Sequence, residues 1–182
     1  MNRIAFISLF AMTFRLAAPL LLVGLGAIFS EKSGVINIAI EGIMTIGAFF
    51  ALVVTYATQN PWLGLLAALI SGVAISALHA VVSIKFEANQ VVSGVAINIL
   101  AAGLTAFLLN VFYGHGGQSP AIQTAWQLPR WFSFLREIPL IGPIIGGHNP
   151  LVYFAFAMVP VTSFILFKTS LCLRLRAVGE HP

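Results

Sequence analysis

The chain of 182 residues is 59% hydrophobic and only 8% charged, with a mean hydropathy of +1.00. Soluble domains carry roughly 25% charged residues, so this composition excludes a soluble globular protein. The net charge of +4 and pI near 9.7 do not signal nucleic acid, because the basic residues sit at the ends of apolar runs, the placement that membrane insertion selects.

Apolar runs occupy residues 4–29, 35–57, 62–84, 91–113 and 151–167. Most approach the roughly 20 residues needed to cross a 30 Å hydrocarbon core as helix. They predict an all-α, polytopic bundle of about five membrane spans in a single transmembrane domain over 1–182. Residues 138–145 are too short and too rich in proline and glycine for a sixth. The runs lack the polar/apolar alternation of an outer-membrane barrel.

Arg3 followed by an apolar run has the outline of a signal peptide. Apolar sequence resumes directly after Arg15, however, so the first span is expected to stay in the mature protein.

Residues 30–42, SEKSGVINIAIEG, insert Glu31, Lys32, Asn37 and Glu41 between two apolar runs. Polar or irregular chain at membrane depth is costly unless protein or water covers it. This stretch therefore reads as a broken polar segment beside a pathway. Ser33, Asn37 and Glu41 recur at every fourth position and would share a face if the segment is helical. Glu41 either lines the pathway or pairs with Lys32 or a donor on a neighbouring helix.

Run 62–84 places Gly72, Ser76, His79 and Ser83 on one helical face. Gly72 and Ser76 have the small-xxx-small form that lets helices approach in lipid, so packing is the expected role, with His79 hydrogen-bonded inside the bundle. Run 91–113 shows a second stripe: Gln90, Gly94, Asn98, Ala101 or Ala102, and Thr105. Asn98, near mid-span, either joins helices or lines a pore; Gln90 and Asn98 are tentative pathway residues with Asn37 and Glu41. Phe107, Phe112 and Tyr113 either stack on a solute or belong to core and lipid faces.

Residues 114–150, with GHGGQSP, Trp126, Trp131, Phe132 and LIGPIIGG, predict a long loop with partly interfacial helices. If Lys168, Arg174 and Arg176 are cytoplasmic, counting back puts Lys85 and Lys32 on the same side and this loop outside. The lone Cys172 excludes an internal disulfide and makes a metal site improbable.

Several chemistries are absent. The sequence has no GxxxxGK[ST] phosphate loop, no HExxH, no GxSxG elbow and no Asp at all. Gly24 and Gly26 lie inside a span, with Phe29 where a dinucleotide fingerprint needs Gly or Ala. An enzyme is not expected, and neither is a cofactor. Glu41 is the one carboxylate eligible as an intramembrane proton relay, thin support for an ion-driven carrier.

Three stretches carry a family resemblance: SEKSGVINIAIEGIMTIGAFFA at 30–51, ANQVVSGVAINILAAGLT at 88–105 and LRLRAVGEHP at 173–182. Together they resemble the permease subunits of bacterial ABC importers for nucleosides and related simple sugars. The resemblance implies a multi-pass inner-membrane subunit that forms a solute pathway beside a second permease. A cytoplasmic ABC ATPase would supply energy, and an extracytoplasmic binding lipoprotein would deliver the small-molecule solute. Nucleic acid is not an expected partner.

The family's cytoplasmic coupling segment matches 173–182, with its start at 168–182. Arg174, Arg176, Gly179 and Glu180 are then candidates for contact with the ATPase, although the two arginines are equally accounted for as positive-inside anchors. Gly179 allows a sharp backbone path. Family members continue with further spans after this segment, whereas the chain stops at Pro182, so a truncated or partial chain is expected. An ion-coupled carrier and a non-transporting membrane scaffold are the alternatives.

Overall fold

A computed structural model describes residues 3–114, 118–119, 121–131 and 146–180, the side chains of 3–5 and 180 excepted. Among these residues there are six α-helices and no strand: α1 (Arg3–Lys32), α2 (Ile40–Thr58), α3 (Pro61–Ala80), α4 (Gln90–Tyr113), α5 (Pro150–Lys168) and α6 (Ser170–Glu180). A π-helical turn, Val81–Lys85, extends α3, and a short 3-10 turn covers Thr124–Trp126. Five segments, Phe6–Lys32, Ile40–Thr58, Pro61–Lys85, Gln90–Tyr113 and Pro150–Lys168, are long and apolar enough to cross a membrane. The protein is a multi-pass membrane protein, as the apolar runs predicted.

The helix ends follow local chemistry. Asn60 accepts a hydrogen bond from the Trp62 N–H (3.0 Å) and is followed by Pro61 at the first helical position of α3, where proline loses nothing. Asn89 caps α4 by accepting from the Val91 and Val92 N–H groups at 2.9 and 3.2 Å. Gly114, with φ +73°, closes α4 in the left-handed conformation.

The described residues fall into two compact units. One comprises 1–34 and 128–182, the other 35–127.

In the 35–127 unit, α2 and α3 form an antiparallel hairpin through Gln59, whose φ is +57°. Their closest approach is at Gly64, where a Cβ would strike the Thr55 hydroxyl and lie 2.8 Å from the Ala51 carbonyl oxygen. Gly72, the residue singled out from the sequence, faces Ile43 at an ordinary 3.7 Å. The tightest packing is therefore two turns nearer the hairpin than the predicted stripe, because glycine matters most where the two helices converge at their turn.

The helix α4 runs parallel to α2. Asn98 meets the start of α2, and the Tyr113 ring stands 5.5 Å from Tyr56 near its end. Trp126 packs edge-on against the same Tyr56 at 5.8 Å.

In the other unit, α1 packs on α5 through Ala18, Val152 and Ala155, with Leu22 and Phe156 alongside. Ala155 is wholly buried, and small side chains at such a seam bring helices close in lipid. The Phe14 and Phe156 rings pack at 5.0 Å. Cys172 on α6 is buried and free. The predicted interfacial helices around LIGPIIGG, and Phe132, fall largely on 132–145, outside the described residues.

Residues 33–39 are not helical, as the reading of a broken segment expected: α1 ends at Lys32, Gly34 has φ +83°, and α2 begins only at Ile40. The condition for Ser33, Asn37 and Glu41 to share a helical face is therefore not met. A spacing of four encodes a face only where the chain has helical pitch, and Gly34 in a left-handed conformation ends that pitch.

Candidate functional site

The non-helical stretch is anchored by α4. The Ile36 N–H donates to Gln90 Oε1 at 2.7 Å. The Gly42 N–H donates to Asn98 Oδ1 at 2.7 Å, and Asn98 Nδ2 donates to the Ile38 carbonyl at 2.9 Å. One amide thus uses both of its ends on the backbone either side of the helix start.

The need for this clamp is local. The first N–H groups of a helix lack intrahelical partners, and the residue before the helix normally supplies a side-chain oxygen to the third one. In α2 the cap position is Ala39, which offers no side-chain bond. Asn98, reaching from another helix, substitutes for that cap at Gly42.

Close backbone approach makes the reach short enough. A Cβ on Gly94 would lie 2.9 Å from Ile38 Cβ and 3.0 Å from the Ala39 nitrogen. A Cβ on Gly42 would lie 2.8 Å from Asn98 Oδ1 and 3.0 Å from the Ile97 carbonyl oxygen. Gln90, Gly94 and Asn98, the stripe expected from the sequence, all face this one stretch. Lower on α4 the buried alanine is Ala101, and its carbonyl accepts the Thr105 hydroxyl at 2.6 Å.

The four tentative pathway residues thus separate into two pairs. Gln90 and Asn98 hold backbone. Glu41 is exposed in the first turn of α2, where the helix dipole favours a negative charge. Asn37 lies in the stretch itself, and its buried Oδ1 has no hydrogen-bond partner among the described residues.

The coupling candidates lie on α6. Gly179 seats against the end of α1: a Cβ there would lie 2.5 Å from the Lys32 carbonyl oxygen and 3.0 Å from the Gly34 nitrogen. Sequence reasoning singled out Gly179 but missed its counterpart, the turn at Lys32–Gly34; the available signal was a second glycine following a lysine at the end of an apolar run.

Glu31, Lys32, Arg176 and Gly179 line a recess of about 290 Å³. Arg176 is half-buried, with its Nε lacking a protein partner among the described residues, while Arg174 is exposed. The Glu180 side chain lies outside the described residues. Lys32 and Arg176 were expected on one side of the membrane, and they share this recess.

The described residues contain no group of three His, Cys, Asp or Glu side chains able to hold a metal ion.

Residues 9–182 match the family described as branched-chain amino acid transport system / permease component. The chain is 43% identical over 176 residues to the guanosine ABC transporter permease protein NupQ of Bacillus subtilis (strain 168), covering 91% of this chain and 54% of that protein. It is 38% identical over 174 residues to the nucleoside ABC transporter permease protein NupC of Lactococcus lactis subsp. cremoris (strain MG1363), with the same coverages of 91% and 54%. A putative glucose ABC transporter permease protein, TsgC13 of Haloferax volcanii, is 38% identical over 172 residues, covering 93% of this chain and 51% of that protein. The chain spans about half the length of the curated relatives it matches. No solved structure matches it. With the family pattern running from residue 9 to the last residue of a helical, multi-pass chain, the protein belongs to the branched-chain amino acid transport system / permease component family.

Proposed function

We propose that this chain is part of a permease subunit of an ATP-driven ABC importer, and that it helps form the membrane pathway for a nucleoside or a related simple sugar. The likeness to permeases named for guanosine, nucleosides and glucose supports the solute class. The observation that carries the reading is the non-helical stretch 33–39 clamped to α4 by Gln90 and Asn98. This stretch joins the candidate spans that end at Lys32 and begin at Ile40, and the clamp fixes the chain where the second one starts.

In this reading Gln90 and Asn98 position the stretch, while Asn37 and Glu41 offer polar groups to the solute route. Arg174, Arg176, Gly179 and Glu180 receive the stroke of a cytoplasmic ATPase, which acts on the end of α1 through Gly179. A second permease completes the pathway, and an extracytoplasmic binding lipoprotein delivers solute. The subunit itself performs no chemistry; ATP is hydrolysed by its partner. A bacterial inner membrane is the expected location.

The test is uptake into proteoliposomes holding the complete permease, its partner permease and the ATPase, with binding protein and labelled guanosine, adenosine or glucose outside. ATP-dependent accumulation of one of these solutes is expected. Accumulation driven by a proton or sodium gradient without ATP would replace this reading with an ion-coupled carrier, and no uptake under either condition would leave only a scaffold.

A further inference from the structure

At the junction of α3 and α4, three polar side chains are shut away from the surface: His79, Ser83 and Ser93, at 2%, 7% and 9% exposure. His79 Nδ1 and Ser93 Oγ are hydrogen-bonded at 3.1 Å. The other ring nitrogen, Nε2, and the Ser83 Oγ are buried and meet no hydrogen-bond partner among the described residues.

Two such orphans are expensive, and native interiors carry few of them. They are also near one another along the chain: His79 is in the last turn of α3 and Ser83, four residues on, is in the π turn that follows. Ser83 lies in the π turn, where the chain is wider than in an α-helix and the Phe86 N–H reaches back to the Val81 carbonyl at 3.3 Å. Such turns are local departures from regular pairing.

The chemistry of the missing partner is constrained. A neutral imidazole has one donor nitrogen and one acceptor nitrogen, so the role left to Nε2 depends on whether Ser93 gives or receives the proton at Nδ1. A hydroxyl at Ser83 can do either. A water molecule, donor and acceptor at once, satisfies every assignment of these two groups. Exposed Lys85 and Glu87 follow directly and mark the aqueous boundary from which it arrives.

We propose that His79 Nε2 and Ser83 Oγ together bind one internal water molecule, which with the His79–Ser93 bond ties the π turn of α3 to the first turn of α4. That turn also carries Gln90, so the water fixes the register from which Gln90 reaches Ile36. The proposal does not depend on the transport reading.

The test is a map of the complete transporter at a resolution that shows ordered water. Density for a single water within hydrogen-bond distance of both His79 Nε2 and Ser83 Oγ is expected. A protein side chain in that position, from a later segment or a second permease, would overturn the proposal, as would a dry site. A thermal-unfolding cycle with His79→Gln and Ser83→Ala gives an independent reading. Each variant should lower the transition by about 2–4 °C, and the double variant should lose clearly less than the sum, because either change evicts the same molecule. Strict additivity would refute a shared water.

Discussion

Replacing Asn98 by leucine removes a side chain of similar size together with both hydrogen bonds it makes to the α2 entry. The two groups it leaves are unequal. Gly42 is buried, and its N–H donates to Asn98 at 2.7 Å; unpaired, it costs about 1–3 kcal/mol. The Ile38 carbonyl belongs to a residue 37% exposed, so water recovers part of the loss, leaving about 0.5–1 kcal/mol on the same scale. The sum, about 1.5–4 kcal/mol, lowers the population of the docked stretch by about tenfold to several hundredfold. Hydrogen exchange on peptides covering 36–42 in the complete permease reads this directly, and exchange should accelerate by that factor. Ile99→Leu, one position along and 69% exposed, should leave it unchanged. Uptake should fall while membrane insertion persists. If Asn98→Leu left exchange over 36–42 unchanged and altered only the KM for solute, Asn98 would be a solute contact, and the clamp argument would fail.

Gly94→Val brings a branched side chain to where a Cβ alone already stands 2.9 Å from Ile38; overpacking of this kind costs about 1–3 kcal/mol, and the same 36–42 peptides should show faster exchange. Gly179→Val, where a Cβ alone would stand 2.5 Å from the Lys32 carbonyl oxygen, should displace α6 from the end of α1 and lower substrate-stimulated ATP hydrolysis by the assembled transporter, whereas normal stimulation would remove Gly179 from the coupling contact. Glu41→Ala should leave the apparent Tm within about 1 °C, since the side chain is exposed and such changes are usually within about 0.5 kcal/mol; uptake should nevertheless fall, and unchanged kinetics would exclude Glu41 from the pathway.

The spans were legible because a run of apolar residues long enough to cross a bilayer has few other uses. The face of α4 was legible for the same reason: Gln90, Gly94 and Asn98 fall at helical spacing inside a helix that forms. What they touch was not legible. The partner of Asn98 is the backbone of Ile38 and Gly42, and backbone groups leave no mark in a sequence. The break over 33–39 was legible from its polar residues, and the conditional face of Ser33, Asn37 and Glu41 does not form because Gly34, free to take a positive φ, lies between them. His79 was expected to be hydrogen-bonded within the bundle, and it bonds Ser93. The glycine of closest approach, Gly64, escaped notice because nothing polar accompanies it; its demand comes from Thr55 and Ala51, on the other arm of a hairpin.

The contact between Gly179 and the Lys32 carbonyl is made by main-chain atoms on both sides. Side chains can rotate away under load, whereas a peptide unit meeting another peptide unit has no rotamer into which it can yield. If α6 takes the push proposed above, no side-chain rotation stands between it and the end of α1, and the fit leaves no room for the Cβ that any other residue would add.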